Sequence, residues 1–263
     1  MRTNRLREQL KESRPLFGVM ADIASPRLVE FYGLLGFDWV MIDAEHDGIS
    51  VESCYNLVTS ADATGMASLV RVPENRPEVI LPYADTGASA IIAPHVRTPE
   101  DAARLVSALR FPPHGTRGVA GSSRAANYGA TQSPKDFFHA TQNHPVVCAL
   151  MEDEEAYHHA EGIIGEDGID IICLGTGDLA ASLGHPGEKQ IPQVGECVVK
   201  AAGIAKRLGK HLNAAAGTPA DLEQAARLGA RMVMVSNTAL VASATRDFLR
   251  SAREAFSAPA TGA

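Results

Sequence analysis

The chain has 263 residues, with 24 lysines and arginines against 31 aspartates and glutamates, so its formal net charge is −7 when histidine is counted as neutral. Nucleic-acid binding normally depends on a basic surface, and this acidic balance argues against it. Apolar residues make up 45% of the chain and charged residues 21%, which is ordinary for a folded protein and excludes extensive disorder. The length allows either two domains or one large barrel.

Cysteine usage and the N-terminal segment both favour a cytoplasmic protein. The four cysteines form no CxxC pair, and Cys148 and Cys173 lie inside apolar runs, where a reduced thiol behaves as a small core residue. Residues 1–15 are polar and charged, so they lack the apolar segment of a secretory signal. No stretch reaches the roughly 18 apolar residues of a membrane span, and we therefore expect neither export nor membrane insertion.

Short runs that are apolar throughout recur along the chain and predict strands. Strands covered by helices on both faces have this character, whereas half-exposed strands alternate between apolar and polar residues. The pattern therefore predicts a parallel sheet. The predicted strands are Leu16–Ala21, Trp39–Ile42, Ser68–Val72, Ala88–Ala93, Pro145–Met151, Asp170–Leu174, His211–Ala216 and Met232–Ser236.

Segments with helical spacing separate these runs. Thr98-Pro99 and Thr218-Pro219 have the form of an N-cap followed by proline in the first turn. Eight strand–helix units predict a closed (β/α)8 TIM barrel, a single domain over residues 1–263. An open doubly wound sheet is the alternative, but it usually has a glycine-rich turn after the first strand, and this chain has none there. The predicted helices include Pro26–Leu35, Val51–Ala63, Pro99–Leu109, Val194–Leu208 and Pro219–Leu228.

One long connection, residues 111–131, interrupts this rhythm. It mixes arginine and tyrosine with glycines, as in Pro112-Pro113-His114-Gly115-Thr116-Arg117-Gly118. Long loops within compact domains are usually functional. We therefore expect this loop to be a lid or a subunit contact.

Chemistry is expected at the carboxyl ends of the strands, which form one face of a parallel barrel, here called the mouth. Glu152 and Asp178 follow neighbouring strands, and two crowded carboxylates repel unless positive charge lies between them. A divalent cation supplies that charge, although acids at the start of a helix also stabilise its dipole. The polar strand ends are Asp43-Ala44-Glu45-His46, Arg71, Glu152 and Gly175-Thr176-Gly177-Asp178.

Two further groups at the mouth have either a role in carbanion chemistry or a purely structural role. Arg71 ends a strand that should be buried, so it needs an anionic partner: a substrate carboxylate, an enolate or a structural acid such as Asp43. His46 is a candidate general base or a hydrogen-bonded loop residue, and His95 is a weaker candidate of the same kind.

Two negative observations narrow the chemistry. None of the six lysines lies on the inner end of a predicted strand, which excludes a Schiff-base aldolase. The segment Gly175–Ala180 matches a GxGxxA pattern, but it follows the sixth strand and no acid for a ribose ends the next one. We expect its glycines instead to let backbone amides approach a carboxylate.

At these residues the chain resembles the HpcH/HpaI aldolase family, metal-dependent pyruvate aldolases built on a phosphoenolpyruvate/pyruvate-type barrel. The resemblance implies that the protein reversibly cleaves a 4-hydroxy-2-oxoacid, such as 4-hydroxy-2-oxoheptanedioate or a 2-keto-3-deoxy sugar acid, into pyruvate and an aldehyde. The segments that carry the resemblance are Gly36–Trp39, Ile42–His46, Val70–Val72, Pro112–Gly118, Glu152 and Gly175–Leu179.

The resemblance also implies roles for individual residues. Glu152 and Asp178 would hold Mg²⁺, Mn²⁺ or Co²⁺, and backbone amides near Gly177 and Asp178 would bind the pyruvate carboxylate. Arg71 would stabilise the enolate, and His46 would remove the hydroxyl proton.

Asp85 would raise the basicity of His46, but it precedes the fourth strand and should lie at the far end of its own barrel, so a neighbouring subunit would have to supply it. The resemblance favours a homo-oligomer, with a hexamer built as a trimer of dimers as the expectation.

Departures from the family pattern leave the aldehyde unidentified. Leu150 stands where members often carry a substrate-contacting glutamine, Gly175-Thr176-Gly177 replaces Gly-Pro-Ala, and His114 replaces a small residue. Two alternatives remain open: a lyase for acyl-CoA thioesters, which would need a basic groove, and a non-catalytic barrel that binds an acidic metabolite.

Overall fold

The computed structural model describes residues 4–131, 133–140 and 145–257. Within them, eight parallel strands form a closed barrel in sequence order, and β1 pairs with β8 to complete it. The predicted (β/α)8 barrel is therefore confirmed. The strands are β1 Leu16–Met20, β2 Trp39–Asp43, β3 Ala67–Arg71, β4 Ala90–Ala93, β5 Val146–Met151, β6 Ile171–Leu174, β7 His211–Ala215 and β8 Met232–Ser236.

Helices cover the outside of this barrel, and a 3₁₀ turn occupies Asn127–Gly129. At Thr98 and Thr218 the side chain accepts a hydrogen bond from the backbone N–H three residues on, and an aspartate bonds back to the cap. The helices are α1 Arg5–Lys11, α2 Pro26–Leu34, α3 Val51–Thr64, α4 Pro77–Asp85, α5 Pro99–Leu109, α6 Pro134–Ala140, α7 Glu154–His158, α8 Ala160–Gly165, α9 Thr176–Ser182, α10 Pro192–Arg207, α11 Pro219–Arg227 and α12 Asn237–Ser257.

The barrel has two apolar layers. The larger layer lies between the strands and the surrounding helices, and a smaller one fills the barrel interior. Trp39 anchors the interior: it is fully buried, and its indole occupies the space that a side chain at Gly18 would need. Leu6 of α1, also fully buried, joins this interior layer at the end opposite the mouth. The mouth is thus the open end of a packed cylinder.

The long loop 111–131 lies at the end of the barrel opposite the mouth. It leaves α5 and leads towards β5, and the amino ends of the strands are on that side. Arg117 Nη2 lies 2.8 Å from Asp85 Oδ1, and Arg124 donates to the Thr86 carbonyl at 2.8 Å. The loop therefore lies away from the mouth of its own barrel, and its role as a lid remains a prediction. A subunit contact remains a prediction.

All four cysteines are free thiols. Across the residues described above, no helix combines the length and apolar character that a membrane crossing requires.

Candidate active site

Arg71 and Asp43 form a buried ion pair at the mouth. They end β3 and β2 and are register partners in the sheet. Arg71 Nε donates to Asp43 Oδ1 at 2.9 Å, and Arg71 Nη2 also contacts the carboxylate. Burial alone would raise the pKa of Asp43. The hydrogen bond and the charge of Arg71 lower this pKa by more, so it lies below the usual range. The structural partner considered for Arg71 is thus present, and it fixes the guanidinium.

Only one edge of that guanidinium is left for other contacts. Arg71 Nη1 lies 3.2 Å from Glu45 Oε2. That oxygen is buried and makes no hydrogen bond in the structure. Burial raises the pKa of Glu45 despite the nearby charge of Arg71. The charge of Arg71 thus partly offsets that of Glu45, and the carboxylate of Glu45 keeps capacity for a further ligand.

Glu152 and Asp43 are the most buried acids of the mouth. Glu152 follows β5 and is 2% exposed, and its Oε1 accepts the backbone N–H of His95 at 2.9 Å. Burial, together with the charges of Glu45 and Asp178, raises the pKa of Glu152 to about 7. The absence of a side chain at Gly175 gives Glu152 its space, because a Cβ there would lie 2.5 Å from the Glu152 Cβ. The structure thus gives a packing reason for glycine at position 175, in addition to the predicted approach of backbone amides to a carboxylate.

His95 supplies that N–H through an unusual backbone conformation. Its φ is +51°, a left-handed conformation that few residues other than glycine adopt. His95 Nδ1 lies 2.9 Å from Asp153 Oδ2, and Arg97 Nε lies 3.1 Å from the same oxygen. Burial lowers the pKa of His95, but the bond to Asp153 and the charge of Glu152 raise it above the ordinary value. Asp153 thereby orients an imidazole beside Glu152.

These side chains form one cluster of potential metal ligands. One atom each of Glu45, His95 and Glu152 lies within 4.8 Å of the other two. Two crowded carboxylates, both with a raised pKa, together with an imidazole, fit a divalent cation. Neither Glu45 nor His95 was predicted as a ligand, although both lie at strand ends of the predicted mouth.

The predicted residues Asp178 and Gly177 lie beside this cluster. Both are exposed and occupy the first turn of α9. The charge of Asp178 helps to raise the pKa of Glu152, so the two carboxylates interact, but Asp178 is not part of the cluster itself. Leu150 is 7% exposed in the interior layer, one position below Glu152 on the inner face of β5.

His46 and Asp85 are placed very differently. His46 Nε2 lies 3.8 Å from Glu45 Oε2, and 60% of its side chain is exposed at the mouth. Asp85 is the last residue of α4, and its side chain and carbonyl face the loop, where Arg117 and the Ala125 N–H bind them. The structure therefore brings His46 to the site and leaves Asp85 at the opposite end of the barrel.

Comparisons with known proteins identify the family of this chain. The model of the HpcH/HpaI aldolase/citrate lyase family matches residues 17–244. A 5-keto-4-deoxy-D-glucarate aldolase of Salmonella paratyphi C (strain RKS4594) is 32% identical over 234 residues, which cover 89% of this chain and 90% of that protein.

Solved structures show the same similarity. A HpcH/HpaI aldolase/citrate lyase family protein from Burkholderia cenocepacia J2315 has a TM-score of 0.90 at 31% identity and covers 95% of this chain and 100% of its own. A HpcH/HpaI aldolase from Desulfitobacterium hafniense DCB-2 shares the fold, with a TM-score of 0.87 at 24% identity over 98% and 99% of the two chains. The predicted resemblance and the predicted enzyme class, a carbon–carbon lyase, are confirmed. The chain belongs to the HpcH/HpaI aldolase/citrate lyase family.

Proposed function

We propose that this protein is a divalent-metal-dependent aldolase that reversibly cleaves a 4-hydroxy-2-oxoacid into pyruvate and an aldehyde. The observation that carries the proposal is the buried Glu152 beside Glu45 and His95, with the fixed Arg71 next to them. A cation held by these acids, together with Arg71, would stabilise negative charge that develops on a bound oxoacid. Family membership supports the same reaction class.

The proposed metal ligands are Glu152 and Asp178, with Glu45 and His95 close enough to contribute. When bound, Mg²⁺, Mn²⁺ or Co²⁺ acts as a Lewis acid towards the carboxylate and oxo oxygens of the substrate. Backbone amides near Gly177 and Asp178 bind the carboxylate, since Gly177 is exposed and a side chain there would meet nothing within 4 Å.

Cleavage breaks the bond between C3 and C4 of the substrate. His46 accepts the proton of the 4-hydroxyl group, and the C4–O bond becomes the carbonyl of the departing aldehyde. The electron pair of the broken bond moves onto the pyruvate half as an enolate. Arg71 Nη1 faces that charge, because Asp43 holds the rest of its guanidinium. Protonation of C3 then completes pyruvate.

The substrate class we propose is a 2-keto-3-deoxy sugar acid. It rests on the relatives called 5-keto-4-deoxy-D-glucarate aldolase, at 32% identity. Leu150 would then line the floor beneath the substrate, because it is buried directly below Glu152.

The test is release of pyruvate from such a substrate, followed by a coupled lactate dehydrogenase assay with and without a chelator. We expect loss of activity in EDTA, recovery on addition of Mn²⁺ or Mg²⁺, and loss in Glu152→Ala. Full activity in EDTA would contradict the metal mechanism. Cleavage of an acyl-CoA thioester without pyruvate formation, or binding without turnover, would favour the two alternatives.

A further inference from the structure

Two neighbouring helix–strand turns at the amino end of the barrel share a sequence pattern. One connects α10 to β7 and the other connects α11 to β8. Because β7 and β8 pair in the sheet, the two turns lie side by side, at the end opposite the mouth. The backbone N–H of Arg231 donates to the Leu212 carbonyl at 2.9 Å and fixes one turn against the other. The two segments are Arg207-Leu208-Gly209-Lys210-His211-Leu212 and Arg227-Leu228-Gly229-Ala230-Arg231-Met232.

A cleft of about 550 Å³ opens beside these turns, between α10 and α11. Among the described residues that line this cleft, none carries a carboxylate, although the chain as a whole has a net charge of −7. The rest of the lining is basic, apolar or glycine. Here the cleft is called the basic cleft, after its basic residues Lys206, Lys210, His211, Arg227 and Arg231.

Backbone carbonyls, not acids, hold two of these cations in place. Lys210 Nζ donates to the carbonyls of Glu166 and Ile169 at 3.2 and 2.7 Å. Arg231 Nη2 donates to the Gln9 carbonyl at 3.3 Å. Both side chains are half-buried, and within the described residues neither lies within ion-pair distance of a carboxylate. Their charges are therefore positioned but not neutralised, and charges removed from water are normally paired.

The other two permanent cations stand at helix ends, where basic side chains often bond to free carbonyls. Here the backbone already fills that role. The Lys210 N–H donates to the Ala205 carbonyl at 2.9 Å, and α11 ends with the same bond. Lys206 makes no hydrogen bond or ion pair with any described residue. Arg227 has one exposed pair, with its Nη1 3.6 Å from Glu223 Oε2, and such pairs are weak.

The imidazole of His211 responds to this excess of positive charge. Burial lowers the pKa of His211, the charge of Arg231 lowers it further, and the charge of Asp170 offsets part of this effect. The pKa therefore stays below the ordinary value despite that acid. An anion in the basic cleft would relieve the unfavourable electrostatics.

The size and charge of the basic cleft suit a phosphate ester. Its volume lies within the range of small-molecule sites, about 300–1,000 Å³, so it exceeds what a single ion needs. A phosphate group brings a charge of about −1.5 to −2 and three strong acceptor oxygens, and lysine and arginine are the side chains that bind it. The apolar part of the lining can contact the carbon skeleton that carries the phosphate.

We propose that the basic cleft is a second binding site, for a phosphorylated small metabolite. Lys210 and Arg231 form its fixed floor, and Lys206 and Arg227 contact the phosphate group from the ends of two helices. The site lies at the opposite end of the barrel from the mouth, and its existence does not depend on the proposed aldolase function.

Isothermal titration calorimetry on the Mn²⁺-loaded enzyme tests this, with pyruvate present to occupy the mouth. The probes are inorganic phosphate and D-glucose 6-phosphate, and D-glucose is the same sugar without the charge. We expect saturable binding of both phosphates that weakens as the salt concentration rises, and no binding of glucose. Absence of saturable binding, or equal binding of glucose and its phosphate, would overturn the proposal.

Lys206→Gln and Arg227→Gln locate the bound phosphate. Each variant removes one exposed cation, so the fold should be retained. We expect the Kd of glucose 6-phosphate to rise about tenfold in each, the effect of roughly one charge-assisted hydrogen bond. Lys135→Gln, the same charge change at an exposed position of α6, is the matched control and should bind as the wild type does. An unchanged Kd in both cleft variants, or an equal rise in the control, would overturn the proposal.

Glu152→Gln separates the basic cleft from the mouth. This variant alters the proposed metal site and leaves the opposite end of the barrel unchanged. We expect it to bind glucose 6-phosphate with the Kd of the wild type, whether or not it forms pyruvate. Loss of phosphate binding in Glu152→Gln would place the anion at the mouth and overturn the proposal. Loss of pyruvate formation alone concerns only the proposed aldolase function.

Discussion

Burial, backbone geometry and neighbouring charges together set the properties of the Glu152 carboxylate. Burial and two neighbouring carboxylates raise its pKa to about 7, and its fully buried position depends on the absence of a side chain at Gly175. A cation would relieve that repulsion, and we therefore expect the charge of this residue to control metal binding at the site.

Glu152→Gln keeps the shape of the side chain and removes its charge. We expect Mn²⁺ affinity to fall by at least about 100-fold, because even residues beyond the direct ligands typically contribute 10–100-fold. Isothermal titration calorimetry measures this directly. Glu155→Gln, on the exposed face of α7, should bind as the wild type does. Equal affinity in both variants would contradict the assignment.

Gly175→Ala tests the space that Glu152 occupies. The added Cβ would meet the Glu152 Cβ at 2.5 Å, so the carboxylate has to move or the strand has to shift. We expect a loss of pyruvate formation of at least about tenfold, with the fold retained. Gly203→Ala is the matched control, since nothing lies within 4 Å of its Cβ position in α10. Wild-type activity of Gly175→Ala would show that this contact is unimportant.

The sequence identifies acids and bases at strand ends, but it does not reveal how they are arranged. The positions of Arg71 and Glu152 at the mouth were predictable, because a charged side chain at the end of a buried strand has to lie at the open end of the barrel. The part played by His95 depends on a positive φ that turns its N–H onto Glu152, and no local pattern predicts that conformation. The part played by Glu45 was not predictable either, because its neighbours Arg71, His95 and Glu152 come from three other segments of the chain.

At the scale of elements, continuous apolar runs were a sufficient signal for all eight strands. Helices with capping signals, such as α5, were equally clear. The helices named from the sequence did not include α4, which carries Pro82 in its interior, or α1, which is short and polar. They did not include α12 either, although its apolar residues have helical spacing and Ser236 Oγ accepts the Ala239 N–H at its start.

Thr98→Ala removes the capping box of α5. The side chain of Thr98 accepts from the Asp101 N–H at 3.2 Å, and the loss of such a cap costs about 1 kcal/mol. For a chain of this size, we expect the melting temperature to fall by about 2–4 °C. Thr59→Ala, inside α3, is the control and should be neutral or slightly stabilising, because alanine has the higher helix propensity. If Thr98→Ala were as stable as the wild type, the capping box would not contribute to the stability of α5.

His211, at the start of β7, predicts a pH dependence of stability. Burial lowers the pKa of His211 from 6.5, and the charge of Arg231 lowers it further. The folded protein therefore holds this imidazole neutral, whereas the unfolded chain takes up a proton as the pH falls below about 6.5. The unfolding free energy should fall by up to about 1 kcal/mol between about pH 6.5 and about pH 5.5, and less in His211→Gln. Equal losses in urea titrations of both proteins would refute this.

At the scale of the whole molecule, the exposed apolar face of α12 has no packing partner within the described part of the chain. Of its described side chains only Asn237 is buried, while Phe248 and Phe256 are 71% and 93% exposed. With Val241 they lie seven and eight residues apart, on one face of the helix. Exposed apolar faces of this kind mark contacts between proteins, and we expect another copy of the chain to cover this one.

Light scattering tests this expectation. A hexamer would have six times the chain mass of 27.8 kDa. Phe248→Asp should lower the measured mass, whereas Arg250→Glu, on the polar face, should not. A wild-type mass of one chain would contradict the expectation. It would also leave Asp85 without a route to His46, because the two lie at opposite ends of one barrel.

Exchange of the pyruvate methyl protons with deuterium reports whether a cation held at Glu152 activates pyruvate. We predict uptake in the wild type with Mn²⁺, none in EDTA, and a rate at least about 100-fold lower in Glu152→Gln. Uptake that persists in EDTA, or at the wild-type rate in Glu152→Gln, would contradict the account.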